Sequence, residues 1–276
     1  MKTHFGLISD LHLEESKILY TKRSTRHLVS SCISLPDTPN GVDVVLIAGD
    51  ACEVRYEDLW RLILDKYSAE AELVVVVPGN HESWRSEYTK SLDQLREYGS
   101  RYPNVVVLCG DEVSFNDVTI FGATGWCNFG HDEYLMTQMT ASYPDSSLGH
   151  IPFDCRRIKL KVNGIYRKLP ATRIYQENKK AVKDIGQFLL ANVSNKKVVV
   201  THHVPFDDLC DGGESYDSVG LDRNLIAKQE SLVMAYGHQH GLRGVSYLGS
   251  VPCYKNPRGN FEAETVGRYQ MMEFFL

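Results

Sequence analysis

The chain has 276 residues, is 43% hydrophobic, and carries a net charge of −5 with an isoelectric point near 6.1. It is long enough to bury a sizeable core, and its acidity argues against a broad nucleic-acid or membrane-binding surface. The opening residues MKTHFGLISDLHLEE show no signal-peptide pattern, and no run approaches the roughly 18 apolar residues that span a bilayer, so a cytoplasmic protein with no membrane partner is expected.

In chain order, the first apolar run, FGLISDLHL, leads from Phe5 into Asp10 and His12. VDVVLIAGD leads through Ile47 into Asp50, and LVVVVPGNHE leads through Val77 into Asn80, His81 and Glu82. Apolar β-branched runs read as buried strands, and Pro or Gly ends them. Between these runs, YEDLWRLILDKY (residues 56–67) and EYTKSLDQLREYGSR (residues 87–101) have helical spacing, with Gly99 as a stop. Strand–helix–strand order implies parallel pairing, which gathers strand C-termini on one sheet edge. The polar tips of the first three runs are therefore expected to converge.

Residues 105–126 read as short strands with a hairpin turning at Asn116-Asp117. Residues 128–170 show no clear period and read as an irregular insertion or lid. RIYQENKKAVKDIGQFLLANV (residues 173–193) is a predicted helix. KKVVVTHHVP then runs into His202 and His203, and LVMAYGHQH into His238 and His240. LRGVSYLGSVPCYKN and YQMMEFFL read as closing strands. No repeat or linker interrupts the chain, so one domain over 1–276 is expected. The seven cysteines are scattered, without a CxxC pair, and are expected to be free thiols.

Five apolar runs thus end in Asp, Asn or His. Singly, each has an ordinary explanation: Asp50 as a helix cap, Asn80 as a turn residue, His12 or His240 as a solvated or core histidine. Jointly they form a nitrogen and oxygen donor set suited to Mn, Fe, Co, Ni or Zn, and too large for one ion. Asp10-x-His12 and His238-x-His240 place both side chains of each pair on one side of an extended segment.

The ordered motifs Asp10-Leu11-His12, Gly49-Asp50, Gly79-Asn80-His81-Glu82, Thr201-His202-His203 and Gly237-His238-Gln239-His240 resemble those of the calcineurin-like metallophosphoesterase superfamily. FGATGW (residues 121–126) and NPRG (residues 256–259) are similar to stretches in an uncharacterised bacterial and phage branch. That branch often carries an Asp near the position of Asn128 and an aromatic directly after NPRG, where this chain has Asn260. The resemblance implies an α/β fold: a four-layer α-β-β-α sandwich of two mixed β-sheets flanked by helices. It implies two divalent transition-metal ions, manganese foremost. Asp10, His12 and His240 would hold one ion, Asn80, His202 and His238 the other, and Asp50 would bridge them. His202 is preferred over His203 because it directly follows the strand.

With two ions, Asp10, Asp50 and a metal-bridging hydroxide, the site keeps a charge of about +1, which suits a phosphate ester. His81 would protonate the leaving group. Glu82 would make structural hydrogen bonds, His203 would face substrate, and Arg258 would grip phosphate through its planar guanidinium. Hydrolysis of a small phosphomonoester or phosphodiester is the expected activity. A nuclease or cyclic-nucleotide phosphodiesterase is the alternative within the class, a phosphoprotein is a further possible substrate, and an inert metal-binding scaffold is the alternative outside it. No long basic stripe or aromatic–basic interleaving is read along the chain, so a polymeric substrate is not favoured.

Overall fold

The computed structural model describes residues 2–15, 35–131, 153–191, 196–210, 218–241, 243–259 and 268–276. Its first sheet combines β1 (His4–Ile8), β2 (Val44–Ala48), β3 (Leu73–Val77), β4 (Val105–Val107) and β13 (Met272–Phe275), in the order β13-β1-β2-β3-β4. β1 to β4 are parallel and β13 is antiparallel to β1. The second sheet combines β5 (Asp111–Phe115), β6 (Val118–Ala123), β9 (Lys196–Thr201), β10 (Leu232–Tyr236), β11 (Gly244–Leu248) and β12 (Val251–Lys255). Its order is β11-β12-β10-β9-β6-β5, with parallel strands in the middle and an antiparallel strand at each edge.

Side-chain alternation divides the apolar runs between two cores. Leu7, Val44, Leu46, Val75 and Val77 of the first sheet meet Val118, Ile120, Val198, Val200 and Ala235 of the second. The opposite face of the first sheet, including Val45, Ile47, Val74 and Val76, is covered by Leu59, Trp60, Ile63 and Leu64 of α1 (Glu57–Glu70) and Leu95 and Tyr98 of α2 (Tyr88–Gly99). The outer face of the second sheet is covered by α4 (Ala171–Leu190) and α5 (Arg223–Ala227). Two mixed sheets flanked by helices are thus present, as the motifs imply. The helix over residues 87–101 stops at Gly99 as its sequence predicts, and the hairpin of β5 and β6 turns at Asn116-Asp117.

The expectation of irregular chain over 128–170 needs correction. Residues 132–152 lie outside the described residues. Beyond them come α3 (Phe153–Arg157) and a hairpin of β7 (Lys159–Val162) and β8 (Ile165–Lys168). Asn163 and Gly164 form its two-residue turn with φ of 50° and 84°. Asn-Gly suits a turn that needs positive φ at both positions. β7 (KLKV) alternates over only four residues and β8 (IYRK) does not alternate, so the pair is too short for its period to stand out. The six described cysteines are free thiols. No helix among the described residues is long and apolar enough to cross a membrane.

Candidate active site

β1, β2 and β3 of the first sheet and β9 and β10 of the second end toward one cleft. Asp10, His12, Asp50, Asn80, His202 and His203 are buried there, and His81, His238 and His240 are more accessible. Asp10, His12, Asp50 and His238 have φ of 52°, 43°, 52° and 71°. Non-glycine residues occupy this region at a cost, and such strain concentrates at functional sites. Three glycines make room. A Cβ on Gly49 would strike the His202 ring, one on Gly79 would strike the Asp50 carboxylate, and one on Gly237 would lie 2.5 Å from Asp10 Oδ2.

Two groups of donors face each other. In one, His12 Nε2 is 3.0 Å from His240 Nε2, which is 3.6 Å from Asp10 Oδ1. In the other, His202 Nε2 is 3.0 Å from Asn80 Oδ1 and 3.3 Å from His238 Nδ1. Asp50 Oδ2 lies between the groups, 3.4 Å from His202 Nε2 and 3.9 Å from His12 Nε2. Sets of three such residues, including Asp10–His12–His240 and Asp10–Asp50–His202, have potential ligand atoms within 4.8 Å of one another.

The donor chemistry fits cations. His202 Nδ1 donates to Ala48 O at 2.9 Å, so a neutral ring would carry its lone pair on Nε2. That lone pair faces the Asn80 and Asp50 oxygens, which are also acceptors. Convergent acceptors repel unless a proton or a metal ion sits among them. Accordingly, burial opposes charge on His202, yet the Asp50 and Asp10 carboxylates push its pKa up to about 10. Burial likewise works against ionised Asp50, and His202, His81 and His12 overcome it and hold the carboxyl well below its usual range.

The loops are tied from behind. Buried Glu82 accepts hydrogen bonds from the backbone N–H groups of Gly79 (2.7 Å), Ala51 (2.9 Å) and Asp50 (3.1 Å). Asp50 Oδ1 accepts from the His81 N–H, and the Asp10 carboxylate accepts from the His238 N–H. His81 Nδ1 is 3.0 Å from Glu14 Oε1, and its ring stacks on Trp84 with centroids 3.4 Å apart. Burial lowers the His81 pKa, but Asp50 and Glu14 raise it further, to about 9. Burial also resists a charge on Glu14, while its hydrogen bonds to His12 and His81 bring its pKa down to about 2.

Sequence reasoning assigns no role to Glu14 or Asp154. Glu14 stands two residues after His12, so the alternation that pairs Asp10 with His12 extends to it. Asp154 comes from α3, and its Oδ1 accepts from Asn80 Nδ2 at 2.9 Å and Trp84 Nε1 at 2.7 Å. His203 stacks on His238 with centroids 4.1 Å apart and sends Nδ1 toward Thr124 O at 3.2 Å. Arg258 is enclosed. Its side chain is 4% exposed, and burial lowers its pKa against the pull of Tyr269, Glu15 and Glu14. Its neighbour Glu14 also contacts His81, so Arg258 lies behind the site residues. Trp126 is buried in a cluster with Phe129, Cys155 and Ile158. Tyr143, His150 and the side chain of His131, which the sequence places in the 128–170 insertion, lie outside the described residues, as do residues 211–217 of the acidic run DDLCDGGESYDS (residues 207–218) that follows β9.

Residues 3–242 match the family described as calcineurin-like phosphoesterase, and the chain belongs to that family of phosphoester hydrolases. An uncharacterized protein of Acanthamoeba polyphaga mimivirus is 24% identical over 277 residues, covering 92% of each chain. A crystal structure of a phosphopantetheinyl hydrolase from Mycobacterium tuberculosis superposes with a TM-score of 0.66 at 16% identity, covering 99% of this chain and 96% of that one. That likeness is one of fold.

Proposed function

We propose that the protein hydrolyses phosphate esters with two divalent transition-metal ions, manganese foremost. Asp10, His12 and His240 would hold one ion and Asn80, His202 and His238 the other. The single observation that carries this reading is the place of Asp50, whose Oδ2 lies within 4 Å of a histidine Nε2 in each group. When bound, the ions would lower the pKa of water and offset charge on the phosphoryl group.

The chain's own residues then have distinct tasks. Asn80 is a neutral ligand, so the protein charge at the ions comes from Asp10 and Asp50, and the site stays receptive to an anionic ester. Glu14 accepts the Nδ1 proton of His81 and leaves Nε2 toward the cleft, 3.8 Å from Asp50 Oδ2. Glu14 also raises the His81 pKa and stays beside the ring when Asp50 holds the ions, so it favours the protonated imidazole. As the phosphorus–oxygen bond breaks, the Nε2 proton passes to the leaving oxygen. Trp84, held by Asp154, fixes the plane of the His81 ring.

The test is an assay of metal-loaded protein on nitrophenyl phosphate and bis(nitrophenyl) phosphate, with Mn, Fe, Co, Ni and Zn each supplied. Turnover of at least one ester that disappears with Asp50→Asn supports the proposal. Absence of turnover with every metal ends it.

A further inference from the structure

We propose that the hairpin of β7 and β8 is a docking platform for single-stranded nucleic acid, feeding the phosphoester site beside it. This rests on the phosphoesterase reading and narrows its substrate class. Residues 156–168 contain Arg156, Arg157, Lys159, Lys161, Arg167 and Lys168, six of the chain's 30 basic residues, and no acidic residue. In a chain of net charge −5, this is a local reversal of sign. One aromatic residue, Tyr166, stands among these basic residues.

The register sorts these residues. Lys159 pairs with Lys168 and Lys161 with Tyr166, so all four side chains project from one face. All four are exposed, Tyr166 at 53%, and Lys161 Nζ lies 5.6 Å from the Tyr166 ring centroid. Leu160 projects from the opposite face and packs against the cluster that contains Trp126 and Ile158. The lysine face is therefore the outward one. Lys159 and Lys161 are about 6.8 Å apart along the strand, a spacing comparable to that of successive phosphates in an extended strand. Tyr166, directly across from Lys161, offers a ring on which a base can stack.

The platform is joined to the site. Backbone hydrogen bonds from Arg85 N to Arg157 O (2.8 Å) and from Lys159 N to Ser86 O (2.9 Å) fix it to the segment that follows His81. The Arg157 guanidinium lies 5.4 Å from the Trp84 ring, whose partner in stacking is His81. No more than about 14 Å of chain separates Arg157 from Lys161. Cationic groups thus lead from the hairpin to the side where the leaving group would depart. A membrane surface fits less well: the exposed apolar residues of the turn are only Val162 and Ile165, and Tyr166 sits among lysines.

The experiment measures binding by fluorescence anisotropy with a fluorescein-labelled, mixed-sequence single strand of roughly 20 nucleotides, as DNA and as RNA. Metal is chelated, so binding is read independently of hydrolysis. Wild type should bind at least one strand with a steep salt dependence. Lys159→Gln/Lys161→Gln/Lys168→Gln should flatten the salt slope by about 2 and Tyr166→Ala should weaken binding about tenfold. Both variants should retain wild-type thermal melting and turnover of bis(nitrophenyl) phosphate, and the triple variant should cleave the oligonucleotide at least tenfold more slowly. Absence of oligonucleotide binding overturns the proposal. So does binding that neither variant weakens, an equal loss on the small ester, or charge-dependent binding to phosphatidylserine vesicles without binding to either strand. If the small esters are not hydrolysed but the strand binds as described, it is the hydrolytic reading that fails.

Discussion

Asp154 and Asn80, 74 residues apart, are joined by a hydrogen bond of 2.9 Å from the amide nitrogen to the carboxylate. The bond fixes which way the amide points. With Nδ2 engaged by Asp154, Oδ1 must face His202 Nε2. The same carboxylate oxygen receives the Trp84 indole N–H, and Trp84 stacks on His81. One side chain from the insertion therefore orients a proposed metal ligand and, through Trp84, the proposed acid.

Asp154→Ala should weaken metal binding about 10- to 100-fold, the usual effect of removing a group that orients a ligand. Asp154→Asn keeps an acceptor oxygen and should lose less than tenfold. Titration calorimetry with manganese, alongside turnover as a function of metal concentration, separates the two. Equal loss in both variants would mean that the negative charge, rather than the accepted hydrogen bonds, is what Asp154 contributes.

His81 is the second case. Its backbone N–H supports Asp50, and only its side chain reaches Glu14 and Trp84. His81→Ala should leave metal content unchanged. It should slow alkyl phosphate hydrolysis by about 10² to 10⁴, the range of general-acid contributions. A nitrophenolate departs without a proton, so aryl esters should lose less than about tenfold. Comparing kcat on both ester types, with metal analysis of each preparation, gives the answer. Equal losses would remove the acid role.

These roles were legible in the sequence to different degrees, for physical reasons. Asp10, Asp50, Asn80, His202 and His238 each terminate or closely follow an apolar run, so a local pattern announces them, and parallel pairing brings them together. Asp154 follows no such run, and its contact with Asn80 is not encoded by spacing. Glu14 continues the alternation begun at Asp10, but its use depends on His81 arriving from another loop. The β7–β8 hairpin carries an Asn-Gly turn, yet only β7 alternates, and over just four residues. Residue type alone singles out Arg258, and only the fold reveals its enclosure.

Glu82 gives a prediction about stability. It is buried and receives three backbone N–H groups, from Gly79, Asp50 and Ala51. Glu82→Gln keeps the shape but turns an amide NH₂ toward at least one of those donors. Leaving a buried donor unsatisfied costs about 1–3 kcal/mol. For a domain of this size, that lowers Tm by roughly 2–12 °C. Differential scanning calorimetry of chelated protein measures it without interference from bound metal. An unchanged Tm would mean that the loops bearing Asp50 and Asn80 are held by other contacts.

Metal addition should itself stabilise the fold. In the free protein, Asp10, Asp50, Asn80 and His202 crowd acceptors together, and the proton on His202 relieves only part of the repulsion. A ligand present at about 100 times its Kd stabilises by about 2.7 kcal/mol, which corresponds here to roughly 5–11 °C in Tm. Chelated protein should therefore melt several degrees lower than protein with manganese. Asp50→Asn removes the charge that faces both histidine groups, so it should abolish most of the shift. Gly237→Ala should do the same by a different route, because its Cβ would press on Asp10 Oδ2 and on Ala48 O at 2.9 Å. Overpacking costs about 1–3 kcal/mol and would lower the Tm of the chelated variant as well. The informative quantity is thus the metal-induced increment rather than the absolute Tm. A thermal shift series with Mn, Fe, Co, Ni and Zn reads it directly. If no metal raises the Tm of wild type, the convergent acceptors do not form a metal site. If Asp50→Asn keeps the full increment, Asp50 does not join the two groups.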